Sequence, residues 1–282
     1  MFEIPKLIAS TPEPLLESVP EILGELDEIY AYHRQCLAHG AQMLETLTAK
    51  QGVAHLLAKG QSKRQAKALL GIAVDVALKA AEDHAKETGE LPLVAGVLSP
   101  YGLQVAQKEY LLNKAQYLDF HLETLQTLLE QGPDCLGLVW QTKLSEPAAV
   151  LKWCTQNVPR LPVYVTLCLK DAKTLSDGTD LVEALNVLAS FEQVVSLVIA
   201  TCPENELLQA VKSFKETTAL PVSVTNARKD LNELTKVLQK GVTSLANPTL
   251  LRLQVAKKSQ LKIRGCDISS LYKRKVSQKS KI

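Results

Sequence analysis

The stretch VVSLVIATCPENELL, Val194 to Leu208, holds the residue with the clearest chemical potential in this chain. A β-branched apolar run reaches a single cysteine, Cys202, and then a proline and acidic residues open the next segment. A thiolate at a strand end is a metal ligand or a nucleophile, whereas a protonated thiol in the same place is a small apolar plug. Five other cysteines, Cys36, Cys135, Cys154, Cys168 and Cys266, are scattered with no CxxC pair, so no zinc-finger spacing is present. The histidines offer less. His33 and His121 fall inside helical patterns, where a packed side chain is the ordinary role. His39, His55 and His84 have no cysteine or acid at ligand spacing, and no H-x-x-x-H helix exists. Asp177, Gly178 and Thr179 form a loop whose expected role is to cap the following helix. Tyr101 and Gly102, in SPYG, follow a strand end and either line a pocket or make a plain turn.

These residues need a scaffold, and the pattern supplies one. AQMLETLTA reads as a short strand. QSKRQAKALLGIAVDVALKAAEDHAKETG reads as a long amphipathic helix, with Gly89 just past its end. LPLVAGVL is a compact apolar strand, and KAQYLDFHLETLQTLLEQG is a helix closed by Gly132. DCLGLVW is a strand, followed by the helix SEPAAVLKWCTQN with Ser145 as its expected N-cap. The alternation continues: strand LPVYVTLCL, helix DGTDLVEALNVLASF, strand VVSLVIA, helix ENELLQAVKSFKETT, strand LPVSVTN, helix RKDLNELTKVLQKG, strand VTSLAN, helix PTLLRLQVAKK. Solid apolar strands separated by helices imply a parallel α/β sheet covered on both faces. Seven strands suit a (β/α)8 barrel lacking one strand, or an open doubly wound sheet. No G-x-G-x-x-G turn follows any strand, so a dinucleotide fold gains no support.

The 282 residues carry 46% apolar and 22% charged side chains, a globular balance, with a net charge of +2. Such near-neutrality gives no reason to expect a nucleic-acid partner. MFEIPKLIAS lacks a secretory pattern and no run approaches a membrane span, so no membrane partner is expected. A reducing, cytoplasmic setting with mostly buried thiols follows as an expectation. Residues 1–257 read as one barrel domain and residues 258–282, ending YKRKVSQKSKI, as a basic tail.

Several segments, in order, resemble the homocysteine S-methyltransferase family. EIYAYHRQCLAHGAQMLETLTA is similar to its early helix and strand. VAGVLSPYG is similar to its V-A-G-S-x-G-P-Y-G turn, and YLDFHLETLQTLLEQGPDCLGL to the helix leading into its fourth strand. LCLKDAKTLSDGTDLVEAL and LPVSVTNA match later segments. Together these run from about Pro12 to Leu250. The resemblance implies a TIM-like (β/α)8 barrel whose first strand is missing or replaced here, because few residues precede Pro12. The edges bared by such a gap invite the N-terminal arm, or a second copy in a homodimer, to cover them.

The resemblance also implies methyl transfer from an onium donor such as S-methylmethionine to the thiol of homocysteine. The partner is then a small-molecule thiol or amino acid. The implied cofactor is zinc, held by three cysteine thiolates, one after the sixth strand and two adjacent at the end of the eighth. By position it marks Thr48, Tyr101 and Asn226 as substrate-binding. Several positions depart from the pattern. Aligned without a gap, the first ligand position holds Thr201 and the cysteine, Cys202, comes one residue late. The paired ligands fall on Pro248 and Thr249. A second register, through KIRGCDISS, offers Cys266 and Asp267 to join Cys202. At the end of the fourth strand the family's glutamate and threonine become Val139 and Trp140, so no carboxylate there meets an ammonium. Trp140 then serves either as a core filler or as a new wall for an apolar ligand. The expectation is a family barrel impaired or inactive in its chemistry, a pseudoenzyme; the alternative is a non-catalytic ligand-binding module.

Overall fold

In the computed structural model, the described residues are 8–9, 26–38, 40–49, 51–104, 112–225 and 244–246. Their strands form one parallel sheet in simple chain order: β1 (Ile8–Ala9), β2 (Met43–Glu45), β3 (Leu93–Leu98), β4 (Cys135–Gln141), β5 (Val163–Cys168), β6 (Val194–Thr201), β7 (Val222–Thr225) and β8 (Ser244–Ala246). β1 and β8 come within 8 Å of each other at their Cα atoms, so the sheet curls into a TIM-like barrel. The first position, expected to be missing or replaced, holds a two-residue strand registered Ile8 to Met43 and Ala9 to Leu44. This stub gives β2 a neighbour on the side where an open edge was expected.

The helices are α1 (Leu26–Ala38), α2 (Val53–Ala58), α3 (Lys63–Thr88), α4 (Tyr101–Gln104), α5 (Lys114–Leu129), α6 (Ser145–Asn157), α7 (Leu181–Ala189) and α8 (Leu207–Thr217). α3 shows why these segments fold as they do. Ser62 and Gln65 form a reciprocal capping box, and Gly89 ends the helix in the left-handed conformation at φ 80°. Its buried face includes Leu70 and Ala73, which pack against α2, and Val74, Ala77 and Ala81, which press onto the sheet and α1.

Three local expectations are corrected. α6 starts at Ser145 itself, flanked by Leu144, and no side chain caps it. Glu146, in its first turn, is buried and turned toward α5 instead. The cap of α7 is Asp180, whose Oδ1 accepts from the Glu183 amide at 2.9 Å. Asp177 accepts from the Thr179 amide at 3.0 Å and so shapes only the preceding loop. SPYG is not a bare turn, since Tyr101 opens the one-turn helix α4. The helices expected at 228–241 and 248–258, and the basic tail at 258–282, lie outside the described residues.

The sheet separates two apolar layers. Leu136, Leu138, Val165, Leu167, Leu197 and Ile199 face the surrounding helices. Met43, Ala95, Val97, Cys135, Val139 and Val198 face the lumen. This alternation along each strand decides which residues can reach a site inside the barrel.

Candidate functional site

Barrel sites lie at the C-terminal ends of the strands, so the described candidates are the residues where β2 to β6 finish. β2 ends in Glu45, followed by Thr46 and Thr48. The two threonine hydroxyls lie 2.8 Å apart. Thr48 Oγ1 donates to the Val97 carbonyl at 2.8 Å, and the Val97 amide donates to Thr46 Oγ1 at 3.2 Å. Both threonines are buried. They extend the β2–β3 pairing past the end of the strand, and the Thr48 hydroxyl proton is committed to Val97.

Deeper in the lumen, the Tyr164 hydroxyl donates to Glu45 Oε1 at 2.5 Å, with both side chains buried. Burial and the neighbouring Glu45 carboxylate hold the Tyr164 phenol well above its ordinary range. Gly137 makes room for this ring. A Cβ at that position would sit 2.4 Å from Tyr164 Oη and 2.5 Å from Cζ. Sequence reading missed this pair. An acid in the apolar run MLETL was a visible signal, but its tyrosine partner, 119 residues away, was not.

At the end of β4 the backbone breaks step. Leu138 pairs with Val165, but the next pair is Gln141 with Leu167, leaving Val139 and Trp140 in a bulge. Trp140 adopts φ 55° and is the one non-glycine residue with positive φ among those described. Its amide donates to Thr166 Oγ1 at 2.5 Å. Its ring belongs to the lumen layer and is 7% exposed. Nearby, Tyr101 is half-buried and stacks edge-on against Phe120 at 4.8 Å and Tyr117 at 6.5 Å. Its amide donates to Glu146 Oε1 at 2.5 Å. The same oxygen lies 2.6 Å from His121 Nε2. Both His121 and Glu146 are buried, and they tie α5 to α6 and to the start of α4. His121 is therefore a packed helix histidine with a specific structural partner.

β6 carries two breaks, one at Val195 near its start and one near its end. Leu167 pairs with Ile199, yet Cys168 pairs with Thr201, so Ala200 is the extra residue. Register partners in a parallel sheet point the same way. Cys168 and Ala200 belong to the lumen layer, and Thr201 stands level with Cys168 across the bulge. Cys202, one step on, packs instead against the apolar layer between sheet and helices, half-buried. Burial first, and then the Glu206 and Asp171 carboxylates, push its thiol up to about 11. Those carboxylates are engaged in the loop fold: Glu206 Oε2 accepts from the Ala172 amide at 2.6 Å, and Asp171 accepts from the Lys173 amide at 2.8 Å and the Thr174 hydroxyl at 2.8 Å. Among the described residues no three His, Cys, Asp or Glu side chains are grouped so as to hold a metal ion. Cys202 as placed packs on the helix side of the sheet and not in the lumen layer. Asn226, Cys266 and Asp267 lie outside the described residues. The other described cysteines are buried, and burial pushes Cys36 and Cys154 up to about 12.

Comparison with known proteins decides the ancestry. The family described as homocysteine S-methyltransferase matches residues 6–256. The chain belongs to the homocysteine S-methyltransferase family. It is 30% identical over 212 residues to homocysteine S-methyltransferase from Escherichia coli, covering 73% of this chain and 66% of that protein. It is 24% identical over 219 residues to homocysteine S-methyltransferase YbgG from Bacillus subtilis, covering 74% and 69%. The matched stretch thus spans about two thirds of these relatives' length. Among solved structures it is similar to the metallated form of the homocysteine methyltransferase MmuM from Escherichia coli, with a TM-score of 0.78 at 26% identity, covering 86% of this chain and 90% of that one. No helix among the described residues is long and apolar enough to cross a membrane.

Proposed function

We propose that this chain is a homocysteine S-methyltransferase-like barrel impaired or inactive in zinc-dependent methyl transfer from an onium donor such as S-methylmethionine to the homocysteine thiol. The observation that carries this reading is the direction of Cys202. Ala200 lies in the lumen layer, and Thr201, level with Cys168 across the bulge, offers a hydroxyl, a far poorer zinc donor than a thiolate. Cys202 packs on the helix side as a protonated thiol. Val139 and Trp140 add to it, since neither offers a carboxylate to a substrate ammonium. The alternative is a non-catalytic ligand-binding module on the same barrel.

The likeness to the Escherichia coli protein favours a second reading, a working enzyme. That reading needs Cys202 to turn into the lumen and join Cys266 and Asp267 around one zinc. The deciding assay supplies S-methylmethionine, homocysteine and zinc to the purified full chain and follows methionine. The proposal expects no methionine above the protein-free rate. Zinc-dependent turnover that disappears in Cys202→Ser would overturn it.

A further inference from the structure

Trp140 combines three features that a core-filling residue does not need together. It lies at the C-terminal end of β4, where barrels keep their ligand sites. Its ring is on the lumen side, 7% exposed, in the layer that holds Ala49, Val139, Cys168 and Ala200. Its backbone is held at φ 55°, in the left-handed region that a bulky side chain rarely adopts, within a bulge. Strain of this kind persists only where the surroundings over-determine it, and it clusters at ligand clamps and switches. Two contacts hold it here. The Trp140 amide donates to Thr166 Oγ1, and the Gln141 side-chain amide donates to the Val139 carbonyl at 3.0 Å. The bulge rotates residue 140 out of the ordinary alternation, so that Val139 and Trp140 both fall in the lumen layer.

We propose that Trp140 is an autoinhibitory side chain. Its indole ring occupies the ligand space at the C-terminal end of the lumen, so the site is shaped for a flat, largely apolar ligand of about that size and opens only when the strained end of β4 relaxes. The inference deepens the proposed reading of the site, but its test does not depend on metal or methyl transfer. Relaxation returns φ at 140 to the extended region and breaks the Thr166 and Gln141 contacts.

The test replaces the ring and supplies it from solution. Trp140→Gly removes the indole and suits a positive φ, and Trp140→Asn is a second variant that tolerates the same backbone. Melting of the full-length variants is followed with free indole and with indole-3-acetate. The proposal expects both compounds to raise the melting temperature of the variants by several degrees while leaving the wild type unchanged. A space at the end of the lumen admits a ring that carries a carboxylate, because the charge stays in water; a sealed core does not. Rescue by indole alone, or no rescue of a folded variant, would overturn the proposal and leave the methyl-transfer reading untouched. If neither variant folds, the single-tryptophan protein Trp153→Phe decides. There the proposal expects acrylamide quenching of Trp140 to be weak at rest and to rise under mild urea before the global transition. Quenching that rises only with global unfolding contradicts it.

Discussion

His33 shows how one side chain sets a property of the fold. It lies in α1, fully buried, and neither ring nitrogen has a hydrogen-bond partner among the described residues. Burial lowers its pKa from 6.5 to about 4. Between those values the unfolded chain takes a proton that the folded chain refuses, so stability is full above pH 6.5 and falls as the pH drops toward 4. The loss across that window is about 3 kcal/mol at 1.36 kcal/mol per pK unit. Urea melts at pH 7 and pH 4.5 should show wild type losing more stability than His33→Leu, and equal losses would contradict this. Cys202 makes a kinetic prediction. With its thiol at about 11, only roughly one part in ten thousand is thiolate at pH 7. Alkylation by iodoacetamide, read on the peptide containing Cys202, should be far slower than for a free cysteine model and should climb steadily to pH 10. A rate that is fast and flat near neutrality would show a thiolate. Sequence alone named both residues. It left Cys202 open between ligand and plug, because the side on which it lies depends on a bulge that only the pairing with β5 reveals.

At the scale of elements, the legible parts were those fixed by local chemistry. α3 was readable from the spacing of its apolar residues and from Gly89, and its capping box explains the sharp start. Ser62→Ala should cost about 1 kcal/mol in a denaturant melt, through loss of that cap. Where tertiary partners compete, local reading failed. The strand expected over 41–49 spans only Met43–Glu45, because Thr46 and Thr48 turn their hydroxyls to β3. Ser145 does not cap α6, and its neighbour Glu146 reaches His121 and the Tyr101 amide. That contact joins three elements. Glu146→Ala leaves the buried His121 ring and the Tyr101 amide without their acceptor and should destabilise the fold by about 1–3 kcal/mol. His121→Ala should lose a comparable amount, and the double variant less than the sum, as a double-mutant cycle would show. Additive losses would mean that the contact carries no coupling.

For the whole molecule, the order of elements and the family resemblance were legible because solid apolar strands and intervening helices survive extensive change elsewhere. The first strand escaped sequence reading because two residues carry no periodicity. The lumen pair of Glu45 and Tyr164 escaped it because the partners meet only when the sheet curls. The β-bulges at Val139–Trp140 and at Ala200 redirect the ends of β4 and β6, and neither leaves a mark in composition or spacing. The claim that the scaffold persists while the metal-binding chemistry does not rests chiefly on the second. Zinc bound per chain tests it most directly, measured by elemental analysis on the purified full-length protein after dialysis against micromolar zinc and then zinc-free buffer. The account predicts well under one zinc per chain, with no change in Cys202→Ser. One zinc per chain, lost with that substitution, would contradict it.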